Sequence, residues 1–172
     1  MRAAFLDRDG TLNTRPPQHD YVREVSGFAW IPGAREGMAT LAEHGFALIV
    51  VSNQRGVSRG MVSPQVLTGI EQHIAADLEP LGVTMTGFLY CTHGLDDGCD
   101  CRKPAPGMLL RAADEHGIAL AASWMIGDAD SDIAAGRAAG CRTARVGPDP
   151  TAGQADIVVP DLLTAARKIV SQ

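Results

Sequence analysis

The chain has 172 residues, a net charge of −5, and 45% hydrophobic against 20% charged side chains. That is the balance of an ordinary globular protein with enough chain for a proper core. The acidic balance argues against nucleic acid or an anionic membrane as partner, and no apolar run is long enough to span a bilayer. A strand begins within a few residues of Met1 with no signal-like segment before it, so the expected location is cytoplasmic. One domain spanning 1–172 is the expected organisation, most simply as a monomer.

In chain order, the apolar run 3–6 reads as a short buried strand that ends in Asp7-Arg8-Asp9-Gly10-Thr11. Residues 14–27 are polar and rich in Pro, Arg and Asp, too long for a tight turn, and are expected to form a flap. A helix is expected from Pro32-Gly33 to His44, with Met38, Leu41 and Ala42 facing inward. The continuous run 46–51 suits a parallel strand covered on both faces, and it leads into Ser52-Asn53-Gln54-Arg55-Gly56. Ser63-Pro64 is an N-cap followed by proline at the first helical position, opening a helix that ends near Pro80. A strand over 85–90 precedes a polar loop and a helix over 106–116. Further strands are expected at 123–126, 141–146 and 156–159, with helices at 130–139 and after the capping Asp161. This alternation predicts an α/β fold, a Rossmann-like parallel sheet with helices on both faces, and leaves no spare block for a second domain.

The chemistry gathers where strands end, which is where ligands bind in such sheets. Asp7 is placed to attack a phosphorus atom, and Asp9 to donate a proton to the leaving oxygen. The Ser52 hydroxyl and the main-chain amides of Asn53 and Gln54 suit phosphate oxygens. Lys103 stands before a helix start, where an anion is already favoured. Asp128 and Asp132 form Gly-Asp-x-x-x-Asp one helical turn apart, with Asp132 able to orient Lys103 or a bound water. Alone, each has a plainer reading: an Asx turn, a turn serine, a surface lysine, acidic helix caps. Their order, each after a strand and at wide intervals, is what carries weight.

Asp7-Arg8-Asp9-Gly10-Thr11, Ser52, Lys103 and Gly127-Asp128-x-x-x-Asp132 together resemble the four motifs of the haloacid dehalogenase (HAD) superfamily of phosphatases, over nearly the whole chain. The resemblance implies a HAD fold without a cap domain and hydrolysis of a phosphomonoester through an aspartyl phosphate. It also implies magnesium held by Asp7, the backbone carbonyl of Asp9, and Asp128.

Cys91-x-His93-x5-Cys99-x-Cys101 offers three thiols and an imidazole in a short polar loop. Four soft or borderline ligands describe a closed structural zinc site within the inserted loop 91–101. Its work would be to fix a loop without a core of its own and deliver Arg102 and Lys103. This insert, running into Arg102-Lys103-Pro104, resembles the branch of HAD phosphatases that contains the heptose 1,7-bisphosphate 7-phosphatases and the histidinol-phosphate phosphatase domain. The resemblance implies a small phosphorylated sugar as substrate, first a heptose 1,7-bisphosphate that loses its 7-phosphate, with histidinol phosphate or another small sugar phosphate as the alternative. For a phosphate that is bound but not cleaved, Arg102 is the candidate, followed by Arg55 and Arg59. Two rivals remain. A receiver-like signalling domain also phosphorylates an aspartate, but Asp9 would hasten loss of that phosphate. A zinc-ribbon nucleic-acid module is opposed by the net charge.

Overall fold

The structure, a computed structural model, describes residues 1–18, 20–148 and 154–172. Six strands form one wholly parallel sheet in the order β3-β2-β1-β4-β5-β6. They are β1 (Arg2–Leu6), β2 (Phe46–Asn53), β3 (Gly87–Cys91), β4 (Trp124–Gly127), β5 (Arg142–Val146) and β6 (Ile157–Val159). The helices are α1 (Ala34–Glu43), α2 (Pro64–Leu78), α3 (Gly107–His116), α4 (Asp130–Ala138) and α5 (Leu162–Val170). Strand order reverses between β1 and β4, and Asp7 and Asp128 follow those two strands directly. That switch point is where open α/β sheets leave a crevice for ligands.

The period-2 alternation of strands sorts the core into two layers. Ala4, Leu6, Leu48 and Val50 pack with Met38 and Leu41 of α1, Ile70 and Ile74 of α2, and Leu162 and Ile169 of α5. Ala3, Phe5, Ile49, Val51 and Leu89 pack on the other side with Met108 and Leu109 of α3 and Ala135 of α4. No helix among the described residues is long and apolar enough to cross a membrane.

Local signals placed the helices within a residue or so. The Ser63 side chain accepts from the Val66 N–H and opens α2, and Asp161 accepts from Thr164 to open α5. The strands differ more. β2 runs to Asn53 rather than stopping at Val51, because Ser52 and Asn53 pair with Tyr90 and Cys91. β3 begins at Gly87 rather than Met85 and takes in Cys91 for the same reason. Gly37 lets α1 lie against α5: a Cβ there would stand 2.9 Å from the Leu162 carbonyl carbon.

Candidate active site

The Lys103 ammonium is buried among three acceptors. Its Nζ donates to Asp7 Oδ1 at 2.7 Å and to the Val51 carbonyl at 2.8 Å, and pairs with Asp132 Oδ1 at 2.6 Å. All three of its N–H groups therefore have an acceptor, inside a site where its side chain is 2% exposed. Asp132 Oδ2 accepts the Ala129 N–H at 3.0 Å and so caps α4. The Asn53 side chain grips the Lys103 backbone twice, donating to its carbonyl and accepting from its N–H, each at 3.0 Å. Asn53 thus fixes Lys103 with its amide side chain, a link between positions fifty apart that local sequence does not signal.

These contacts set the electrostatics. Burial pushes the Asp7 carboxyl up, against the pull of Lys103, to about 6. Burial would lower the Lys103 ammonium, yet Asp7 and Asp132 on either side hold it above the ordinary lysine range. Burial also raises Asp128, with the Asp7 charge adding and Arg15 opposing.

Asp9 belongs to a second network. Arg8, fully buried, reaches both of its carboxylate oxygens. Asn13 Nδ2 donates to Asp9 Oδ1 and Gln54 Nε2 to Asp9 Oδ2, each at 2.9 Å. Gln54 Nε2 also lies 3.0 Å from the Ser52 hydroxyl. This corrects the expectation for Gln54: its main-chain N–H is taken by the Cys91 carbonyl at 2.7 Å and its side chain is wholly buried, so it serves Asp9 and Ser52 rather than a phosphate.

A cavity of about 280 Å³ opens above these groups, lined by Asp7, Asp9, Ser52, Asn53, Lys103 and Asp132 below and by Arg15, Pro17 and Tyr21 of the flap above. The flap position agrees with the expectation for 14–27, of which His19 lies outside the described residues. Arg15 Nη2 lies 2.6 Å from Asp128 Oδ1. Nothing local in the sequence marked Arg15, because its partner is 113 residues away. Arg55 and Arg102 are not in the cavity lining. Arg102 is half-buried beside the cysteine loop, and its Nη1 has no hydrogen-bond partner among the described residues.

Two groups of side chains fit metals. The carboxylates of Asp7, Asp128 and Asp132 lie within 4.8 Å of one another. Asp132 is spent on Lys103 and the helix cap, which leaves Asp7 and Asp128 as the hard oxygen donors suited to magnesium. Gly10, at φ 98°, keeps this place open: a Cβ there would stand 2.1 Å from Asp128 Oδ2. The second group is Cys91, His93, Cys99 and Cys101. Cys91 Sγ lies 3.7 Å from both His93 Nδ1 and Cys99 Sγ, and His93 Nδ1 lies 3.2 Å from Cys101 Sγ. Ligands about 2.3 Å and 2.1 Å from a tetrahedral zinc stand at close to these separations. Burial and the neighbouring thiols push Cys101 up to about 12, while, against its burial, hydrogen bonds from the Arg102 backbone and from Cys101 and Cys91 hold Cys99 below the ordinary thiol range.

The fold and site are those of a phosphoryl-transfer enzyme of the α/β class. A HAD-hydrolase-like family model matches residues 100–165. The D-glycero-beta-D-manno-heptose-1,7-bisphosphate 7-phosphatase of Yersinia pestis is 40% identical over 148 residues, 82% of this chain and 77% of that protein. The enzyme of the same name from Escherichia coli K12 is also 40% identical, over 82% and 76% of the two chains. The crystal structure of D,D-heptose 1,7-bisphosphate phosphatase from B. bronchiseptica, complexed with magnesium and phosphate, superposes with a TM-score of 0.89 at 28% identity, covering 99% of each chain. The chain belongs to the HAD-like phosphatases, the family of these enzymes.

Proposed function

We propose that this single-domain phosphatase removes the 7-phosphate of D-glycero-D-manno-heptose 1,7-bisphosphate, using Asp7 as nucleophile. The observation that carries the reading is the buried Asp7–Lys103–Asp132 line at the floor of a cavity beneath a flap. The names of its relatives supply the sugar, and their β anomer is the one assigned here.

Asp7 attacks phosphorus in line, the P–O bond to the sugar breaks, and the Asp9 carboxyl gives its proton to the departing oxygen. Water then attacks the aspartyl phosphate with Asp9 as base, releasing phosphate and restoring Asp7. Lys103 stays ionised between two carboxylates and offsets charge on the transferring group. Ser52 and the Asn53 N–H steady phosphate oxygens. Magnesium bound by Asp7, the Asp9 carbonyl and Asp128 would neutralise the like charges of nucleophile and phosphate. The flap from Arg15 to Tyr21 selects the sugar in place of a cap domain. For the phosphate that is kept, Arg15 lines the cavity itself, whereas Arg102 stands outside the lining with its Nη1 buried. Cys91, His93, Cys99 and Cys101 would hold zinc, which would anchor the loop that ends in Lys103. A cytoplasmic monomer is the simplest setting for such an enzyme.

Phosphate release with magnesium from both heptose bisphosphate anomers and from histidinol phosphate tests the assignment. Preference for the β anomer is expected; preference for histidinol phosphate would move the substrate and leave the mechanism. Cys99→Ser tests the zinc reading. It should lose stoichiometric zinc by elemental analysis and about 10²-fold in activity, the scale on which a ~1 Å displacement of a positioning group acts. Full zinc occupancy in that variant would overturn the four-ligand assignment.

A further inference from the structure

We propose that Arg8 is a positioning residue for catalysis, its buried guanidinium fixing the plane and direction of the Asp9 carboxyl that serves the leaving oxygen. The inference rests on the reading of Asp9 as proton donor given above.

Arg8 stands between the two aspartates, where a solvent-facing side chain would be the simple expectation. The chain bends after β1, and Arg8 turns inward: it is 0% exposed and lies beside Tyr90 of β3, which packs against the core layer of Leu6 and Val50. Its fork then folds back onto its own neighbour: Nε and Nη2 lie 3.2 and 3.0 Å from Asp9 Oδ1, and Nη2 lies 3.0 Å from Oδ2.

Asn13 and Gln54 each hold one oxygen of Asp9; Arg8 alone holds both. A planar guanidinium that grips two oxygens fixes a carboxyl's orientation in a way that single donors do not. Arg8 Nη1 and the Tyr90 hydroxyl are buried with no hydrogen-bond partner in reach among the described residues, although the Arg8 charge acts on the Tyr90 phenol. The arrangement is thus incomplete as a stability device, and apolar groups in place of a whole buried ion pair are often neutral or stabilising, whereas removing one partner strands the other. Asp9 meanwhile lines the cavity, with 21% of its side chain exposed. The guanidinium therefore supports, from within the core, a carboxyl whose other side faces the substrate.

The test compares two phosphate esters in the full-length, metal-loaded enzyme. The heptose bisphosphate releases an alkoxide that needs a proton, whereas 4-nitrophenyl phosphate releases a phenolate that does not. Arg8→Met should lose about 10²-fold in kcat/KM on the sugar phosphate, the scale of general acid catalysis. It should lose only a few-fold in kcat/KM on the aryl ester, with a lower Tm, since Asp9 keeps its charge and loses that partner. Added to Asp9→Asn, it should cost nothing further, since both act through one carboxyl. Should Arg8→Met fail to fold, Arg8→Lys, which keeps the charge and loses the fork, should show the same ester-selective loss. Equal loss of kcat/KM on both esters in the variant that folds, or an additional loss on Asp9→Asn, overturns the proposal. If Asp9→Asn itself loses kcat/KM equally on both esters, the proton-donor reading fails, and the role of Arg8 fails with it.

Discussion

Asp7→Asn is expected to abolish turnover while leaving the fold standing. The loss should be on the order of 10⁴ to 10⁶ in kcat, the range seen when a nucleophile or its direct partner is removed. The amide keeps the shape of the carboxylate and can still accept from Lys103, but it cannot form the aspartyl phosphate. The same change should alter how stability depends on pH. The folded Asp7 stands near 6 and its unfolded reference near 3.8. Folding thus favours the protonated form, and the stability it confers is fully present below the unfolded value and lost as pH rises through about 6. In metal-free protein, wild type should show this decline between pH 4 and 7, and Asp7→Asn should lack it. Thermal melts in chelator across that window, with phosphate release from the metal-loaded enzyme, measure both effects. Residual turnover near wild type would remove Asp7 from the role of nucleophile.

What could be read from the sequence and what could not divide along the distance between partners. Helix starts were legible because Ser63 and Asp161 cap within three residues of themselves. Strand cores were legible because 3–6 and 46–51 are continuous apolar runs. The four groups that end strands were legible because a parallel sheet places consecutive strand ends on one side. Strand limits were not: Asn53 joins β2 only through Cys91 of β3, 38 residues on in the chain. Nor were the supporting contacts. Asn53 grips Lys103 across fifty positions, Gln54 reaches Asp9 across 45, and Arg15 meets Asp128 across 113. Arg8 is the clearest case. Between two aspartates it looks like a surface charge, yet the bend after β1 turns it into the core beside Tyr90, 82 residues on in the chain. The sequence displays the side chains proposed to react, and the tertiary contacts decide how each is held.

Lys103→Met should be the most destabilising single change in the site. Asp7 and Asp132 would be left buried without the cation between them, and breaking a buried pair from one side costs roughly 3–5 kcal/mol. The Val51 carbonyl would lose a donor as well. The size of the deficit should follow pH. The folded ammonium is held above its ordinary range, so its contribution is fully present below the unfolded lysine value and lost only as pH rises through the folded one. Across pH 5 to 8 it is therefore intact in wild type. In the variant, Asp7 loses the one neighbour that was lowering it, and the penalty shrinks as acid protonates it. Urea unfolding in chelator should show a large deficit at pH 7.5 and a smaller one at pH 5. Adding Asp132→Asn to Lys103→Met should recover part of the stability at pH 7.5, since it removes one stranded charge, and should recover none of the phosphatase activity. A deficit equal at both pH values would mean that Lys103 contributes through its packed methylenes alone. Recovery of activity in the double variant would mean that the ammonium is not needed to offset charge on the transferring phosphate.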